Sequence, residues 1–167
     1  MDCRNQPFSV FTLMPDDRLA HPRQQADLLL YRLYRLHTTA GRQVVQMCEG
    51  EFGMTRREWR VLSFLAENEG APSSELARHA MLDRARTSRT LTLLAEKKLI
   101  ERRPKPSDRR EVHMHLTEEG RRVHAAIAPR VAAYNSAMVD GLSLAERQQL
   151  DAMLDALQAR AERLAPP

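Results

Sequence analysis

Apolar positions recur along this chain with two different periods, and the change of period divides it. From about Gln24 to Met47, Leu29, Leu33, Leu36, Ala40, Val44 and Met47 repeat at helical spacing, and Leu30, Tyr34, His37 and Cys48 widen the stripe. So wide a stripe on a terminal helix exceeds what one small domain covers, which points to a partner helix from a second chain. Thr55 with Glu58 three residues on makes a capping box ahead of Trp59, Leu62, Leu65 and Ala66, and Gly70 is expected to end that helix. Ser73 or Ser74 is expected to cap a short helix through Ala80, with Leu76 and Ala77 inward. A third helix is expected from Asp83 or Arg84 to Lys97, burying Leu91 and Leu94.

The period then falls to two. Val112, Met114 and Leu116 alternate with His113 and His115, so "LIERR" (99–103) and "EVHMH" (111–115) read as short strands around a loop of about seven residues. Helical spacing returns after Thr117, a cap with Glu118 and Glu119 in the first turn. Val123, Ile127, Val131, Tyr134 and Met138 follow, with a kink expected at Pro129. A second capping box, Ser143 with Glu146, opens a last helix carrying Leu150, Met153, Leu154, Leu157, Ala161 and Leu164.

Three short-linked helices followed by a hairpin give a winged helix-turn-helix. The predicted fold is mainly α with a small β-hairpin wing, flanked by N- and C-terminal dimerisation helices. Residues 1–23, with Pro7, Pro15 and Pro22 and no periodicity, form an irregular arm. Residues 24–54 are assigned to a dimerisation helix, 55–116 to the winged helix-turn-helix and 117–167 to C-terminal dimerisation helices. The surplus apolar stripes at both ends suggest a symmetric homodimer.

Composition changes this picture little and charge changes it a good deal. The 167 residues suit one domain with an oligomerisation element, and 43% apolar with 29% charged residues is ordinary for a globular protein. No apolar run reaches the roughly 18 residues of a membrane span. With no export signal and no disulfide framework, a reducing cytoplasm is the expected location. The net charge is only +4. Yet residues 84–110 hold ten Lys or Arg against three acids, a local +7 that leaves −3 on the remainder. A basic block in an otherwise acidic chain is the footprint of a polyanion-binding surface.

Residues 73–120, "SSELARHAMLDRARTSRTLTLLAEKKLIERRPKPSDRREVHMHLTEEG", resemble the MarR (multiple antibiotic resistance regulator) family. The matching features are Glu75-Leu76-Ala77, Ser88-Arg89, Leu94, Leu99-Ile100, Arg102, Asp108-Arg109-Arg110, Leu116-Thr117 and Gly120. The resemblance implies a dimeric transcription regulator, usually a repressor, on near-palindromic double-stranded DNA, often released by a small aromatic, anionic ligand. Two departures stand out. Lys98 occupies the turn where the family usually has Gly, which costs roughly 1 kcal/mol if that residue needs positive φ. Thr87 replaces a small apolar residue.

A recognition helix reads base edges from the major groove, and arginine can fork onto guanine O6 and N7. The expected DNA contacts are Arg84, Arg86, Thr87, Ser88, Arg89 and Thr90 on that helix, with Ser73 at the start of the shorter helix before it. An arginine there can instead pair with Asp83 or Glu96 on the helix surface. On the wing, Pro104 and Pro106 are expected to stiffen the strand ends. By resemblance Arg110 reaches a minor groove, and Asp108 orients an arginine. Lys105 and Arg109 meet phosphates.

For a ligand, the candidates are Tyr34, Arg35 and His37 on the first helix and Trp59 and Arg60 on the second, where a cation beside a ring suits an aromatic carboxylate. Each also has a plainer role, Trp59 and Tyr34 as core and Arg35 as solvent-facing. No metal site, cofactor or catalytic arrangement is expected: the six histidines are scattered, and no phosphate loop or nucleophile motif occurs. Cys48 reads as a core residue and Cys3 as an arm residue near Arg4. The competing readings are a winged helix used for protein contact and a redox- or metal-sensing regulator.

Overall fold

A computed structural model of the chain describes residues 17–79, 83–105 and 108–165, with side chains at all of these except 105 and 108–111. Most of the expected arm therefore lies outside the described residues. The chain divides into two compact units, one ending at Gln43 and the other running Val44–Pro167.

In the first unit the Asp27 carboxylate is buried and accepts the backbone amides of Arg23 at 3.1 Å and Gln24 at 3.2 Å, closing a 3-10 turn at Gln25–Asp27. Leu28 is then extended, so helix α1 starts at Leu29 rather than near Gln24. It runs to Phe52, past the expected end at Met47, and stops where Gly53 takes φ +56°.

The second unit follows the expected order of elements: α2 (Arg56–Glu67), α3 (Ser73–His79), α4 (Arg84–Glu96), β1 (Ile100–Lys105), β2 (Asp108–Leu116), α5 (Glu118–Val139) and α6 (Leu144–Leu164). The capping boxes at Thr55/Glu58 and Ser143/Glu146 are both formed. Helix α2 ends at Glu67, three residues before Gly70, whose φ of +83° shapes the turn beyond. Ser73 and Ser74 lie inside α3 instead of capping it. The Pro72 carbonyl accepts from Glu75 and Leu76, so the first turn closes one residue earlier. Helix α5 continues through Pro129.

The hairpin is longer than its hydropathy pattern suggests. Pairing runs from Ile100↔Leu116 to Lys105↔Asp108, so the expected seven-residue loop is mostly strand. The register shifts between Pro104 and Lys105, where proline has no amide to donate to the ladder. Pro106 lies outside the described residues. The other edge of β2 is held as well: Gly70 donates to the Met114 carbonyl at 3.0 Å, and Met114 donates to that of Ala71 at 3.1 Å.

The core collects Met47 and Cys48 from the end of α1, Val61, Leu62 and Leu65 from α2, Leu76 from α3 and Leu91 and Leu94 from α4. Ile100, Met114 and Leu116 from the wing and Ile127 from α5 join it, as do Met54, Trp59, Phe64, Ala71 and Leu99. Truncating one of the fully buried leucines to Ala costs about 2–5 kcal/mol. Cys48 has no exposed surface, and burial, with Glu49 nearby, pushes its thiol up. It behaves as a small apolar residue. Two forked arginine pairs hold α5: Arg130 with Glu51 at 2.5 and 2.6 Å, and Arg121 with Glu69 at 2.8 and 2.9 Å. Both are solvent-facing and orient more than they stabilise.

The end of α4 is the tightest junction. Lys97 caps the helix, Lys98 has φ +57°, and Leu99 donates to the Leu94 carbonyl at 2.9 Å while Lys98 donates to Ala95 at 2.9 Å. These are the two bonds of a Schellman motif, and Leu94 and Leu99 supply its apolar contact. Lys97 Nζ reaches back to α2, donating to Glu58 Oε1 and to the Gly53 carbonyl, both at 2.7 Å. Burial alone would raise the Glu58 carboxyl. The Lys97 ammonium and the amide and hydroxyl of Thr55 outweigh it and hold the group below its usual range.

Two outcomes follow for stability. Lys98→Gly relieves the left-handed strain and should stabilise the chain by about 1 kcal/mol, raising the thermal midpoint by about 2–4 °C; no rise in calorimetry would remove the strain assignment. Glu58→Gln leaves Lys97 without its anion and should cost about 2 kcal/mol at neutral pH. Because the folded carboxyl is depressed, that difference should stay flat down to the unfolded value of about pH 4.3 and close only as the pH falls below it. Urea titrations of both proteins across pH read this directly, and a difference that grows in acid would contradict it.

Candidate nucleic-acid interface

Helix α4 carries the site, and its two ends are fixed before its surface is considered. Asp83 caps the start, its carboxylate accepting the Arg86 amide at 2.8 Å, and the Lys97–Leu99 turn fixes the end. At about 100° per residue, Thr87, Thr90, Leu91 and Leu94 fall on one side and are buried. Ala85, Ser88, Arg89 and Thr92 face the other way and are exposed. A buried face thus locks the helix while a polar face bearing Arg89 and Glu96 points outward.

This arrangement revises the contact set. Thr87 and Thr90 are only 2% and 4% exposed, and their hydroxyls donate to the Asp83 and Arg86 carbonyls at 2.8 Å. They pack the helix against its neighbours and are not available to a duplex. Arg84, Arg86, Ser88 and Arg89 are exposed. Arg86 also pairs with Asp83 at 3.2 Å, the surface pairing anticipated for one arginine of this helix. Ser73 is exposed at the start of α3, where it lines the same groove as Arg84 and Ser88.

That groove, of about 290 Å³, separates α3 and α4 from the hairpin, with Arg102 and Val112 on its wing side and Met114 and Leu91 at its apolar base. Arg102 Nη2 donates to Thr92 Oγ1 at 3.2 Å, joining the wing to the outward face of α4. Neither Thr92 nor Arg102 was among the expected contacts. The signal was present for both: Thr92 lies four residues beyond Ser88 on the same helical face, and Arg102 sits in the first strand beside Arg103. The backbone of Lys105, Asp108, Arg109 and Arg110 forms the far end of the hairpin. Their side chains lie outside those described.

The candidate ligand residues are divided between the two units. Tyr34, Arg35 and His37 stand exposed on α1 in the first, with Tyr34 63% accessible. In the second, Trp59 is buried and stacks on His124 at 5.4 Å with an interplanar angle of 16°, which is a core role. Arg60 is exposed, and its guanidinium is held below the usual range by partial burial and by the charges of Arg56 and Arg57. Among the described residues no three His, Cys, Asp or Glu side chains gather as metal ligands would.

A model of the MarR family matches residues 52–111, from the end of α1 into the second wing strand. A protein of Thauera aromatica assigned to transcriptional regulation of the hcr operon is 32% identical over 127 residues, 76% of each chain. Among solved structures, a MarR/EmrR family transcriptional regulator from Acinetobacter sp. ADP1 aligns with a TM-score of 0.74 at 24% identity, over 80% of this chain and 94% of that one. FabT of Streptococcus pneumoniae, solved in complex with DNA, aligns with a TM-score of 0.67 at 23% identity, over 81% of this chain and 99% of that one. The two structures share the fold. Taken with the relative of substantial identity and with the helix-turn-helix and wing, they lead to one assignment: the chain belongs to the MarR family of DNA-binding, winged-helix transcriptional regulators.

Proposed function

We propose that the chain is a homodimeric cytoplasmic repressor that binds a near-palindromic operator and is released by a small, aromatic, anionic ligand. The observation that carries the dimer is the uncovered apolar surface of its terminal helices. On α1, Leu30 is 79% and Leu36 56% accessible, and on α6 no residue is buried, with Met153 51% and Leu154 45% accessible. Helices of this length with bare leucine stripes are unfavourable in water, and a second copy is the partner a two-fold assembly supplies. Among the described residues no helix is long and apolar enough to cross a membrane.

Dimerisation then sets the DNA geometry. Two outward faces of α4 must enter successive major grooves about 34–36 Å apart. Arg89, on the exposed face toward the groove with α2, is the base-reading residue in this scheme, with Ser88 and Thr92 also exposed. Arg84 and Arg102 flank the duplex backbone, and Arg109 and Arg110 extend the contact along the wing. A ligand that binds better to a dimer with a different separation of the two α4 helices would draw the protein off the operator by population shift. Tyr34, Arg35 and His37 in the first unit, and Arg60 and Trp59 in the second, are the separate candidates for contacting it, Trp59 already stacking on His124.

The test is binding of the purified protein to its own upstream region across a salt series, with sedimentation in parallel. Wild type should sediment as a dimer and bind with a steep negative salt slope. Arg89→Ala should remain dimeric and lose about 1–3 kcal/mol of operator affinity, with much less loss on unrelated duplex. Leu154→Glu should sediment as a monomer and lose operator binding with it. A monomeric wild type, or a dimer with no specific binding at any salt, would defeat the reading and favour a protein-contact role for the winged helix. An aromatic carboxylate that raises the operator dissociation constant identifies the effector class, and a panel without effect removes ligand release from the proposal.

A further inference from the structure

Helix α4 has two flanks as well as a buried and an exposed face, and each flank borders a groove. Arg84, Ser88 and Leu91 line the groove toward the wing. Arg86, Arg89 and Leu93 lie about half a turn around the helix and line a second groove of about 250 Å³, whose opposite wall is the start of α2. Thr55, Arg57 and Glu58 form that wall. We propose that Arg57 is a DNA-phosphate contact, and that one backbone strand of the duplex crosses the groove between α2 and α4 while the other meets the wing.

Charge is the first support. Arg57, Arg86 and Arg89 line this groove, Arg89 at the boundary between this flank and the outward face, against a single acid. That acid, Glu58, is 1% exposed and already engaged by Lys97 Nζ at 2.7 Å and the Thr55 amide at 2.6 Å. It has no charge left over for an arginine. Arg86 keeps Asp83, but Arg57 is exposed and has no acidic partner among the described residues.

The second support is the position of Arg57 on its helix. The first turn of a helix favours anions, because its free amides carry partial positive charge. Helix α2 has one acid there, Glu58, which is committed to its capping box and to Lys97, beside three arginines, Arg56, Arg57 and Arg60. Burial and the charges of Arg56 and Arg57 hold the Arg60 guanidinium below its usual range. An exposed Arg57 at this positive end of a helix, on a groove shared with Arg86, suits an anion from outside. The partner already assigned to α4 is a duplex with a phosphate backbone along each lip of the major groove. The two grooves flanking α4 stand where those lips would run, and Arg57 is the cation on the side away from the wing.

This inference rests on the DNA-binding reading of α4, and the experiment separates the two. Wild type, Arg57→Gln and Arg57→Lys are titrated by fluorescence anisotropy, across a salt series, against a duplex from the protein's own upstream region and an unrelated duplex of equal length. Arg57→Gln should weaken both complexes by the same factor, about five- to tenfold, and make the slope of log K against log salt shallower by about 0.9 per site. Arg57→Lys should retain the wild-type slope, since a point charge suffices for a phosphate. The thermal midpoint of Arg57→Gln should hold or rise, because a cation has left a helix N-terminus.

A wild-type slope in Arg57→Gln, on a duplex that wild type binds, overturns the proposal and leaves the DNA-binding reading intact. Loss confined to the specific duplex would make Arg57 a base reader and overturn the phosphate role. A lowered thermal midpoint would assign Arg57 to folding. Failure of wild type on both duplexes at every salt would remove the reading of α4 and the proposal together.

Discussion

The Leu99 carbonyl accepts the amide of Thr117 at 3.1 Å, and the Thr117 hydroxyl donates to the Lys98 carbonyl at 2.6 Å while accepting the Gly120 amide at 2.9 Å. A Cβ at position 120 would lie 2.0 Å from the Leu99 oxygen, so only glycine permits this approach. The turn that ends α4 therefore also starts β1 and anchors the first turn of α5. Through Lys97 it reaches Glu58 and Gly53 at the start of α2. Four elements meet at three residues, and the direction of the recognition helix relative to the wing is set there. Displacing this turn would shift both DNA-facing parts together.

That dependence explains why a strained residue can persist. Lys98 tolerates a left-handed backbone because the Schellman bonds, the Leu94–Leu99 contact and the Thr117 hydroxyl all hold the same geometry. The Lys97 ammonium adds a connection across to α2 that a glycine-ended turn would not provide by itself. The cost of one unfavourable φ is small beside the burial of Leu94, Leu99 and Ile100 around it. Nothing comparable fixes α6, whose apolar side chains find no covered site within the described residues. Rigid geometry is concentrated around α4, and unsatisfied apolar surface lies at the ends of the chain.

Much of this was legible in the sequence because the signals were local. Thr55/Glu58, Thr117 and Ser143/Glu146 cap helices where their spacing predicts, the start of α4 falls at the expected Asp83 or Arg84, and Lys98 takes the positive φ that the family resemblance, with its usual glycine at that turn, raised as a condition. The errors came from effects that spacing does not carry. Asp27 folds back on its own backbone and delays α1, and Pro72 supplies the carbonyl that makes a serine cap unnecessary in α3. The wing exceeds its expected length because Pro104, Lys105 and the charged run 108–110 carry no apolar alternation while the backbone continues to pair. At the site, residue type alone nominated Thr87 and Thr90. Only the rotation of α4 shows that their hydroxyls turn onto its own backbone, and that Thr92 and Arg102 take the outward positions.

The same rotation bears on how specificity and affinity divide. On the outward face Arg89 and Glu96 stand with the small side chains Ala85, Ser88 and Thr92, which allow close approach to base edges. Both flanks carry arginines bordering grooves, where direction matters less than charge. Close, directional contacts discriminate between bases, whereas screened, non-directional ones raise affinity for any duplex. A change on the exposed face should therefore alter which sequence is bound, and a change on a flank should alter how salt-sensitive the binding is. The buried face couples the two, since Thr87, Thr90, Leu91 and Leu94 fix the rotation that assigns every other residue of α4 to its side. Core packing in this small domain thus determines which arginine reads and which ones only hold.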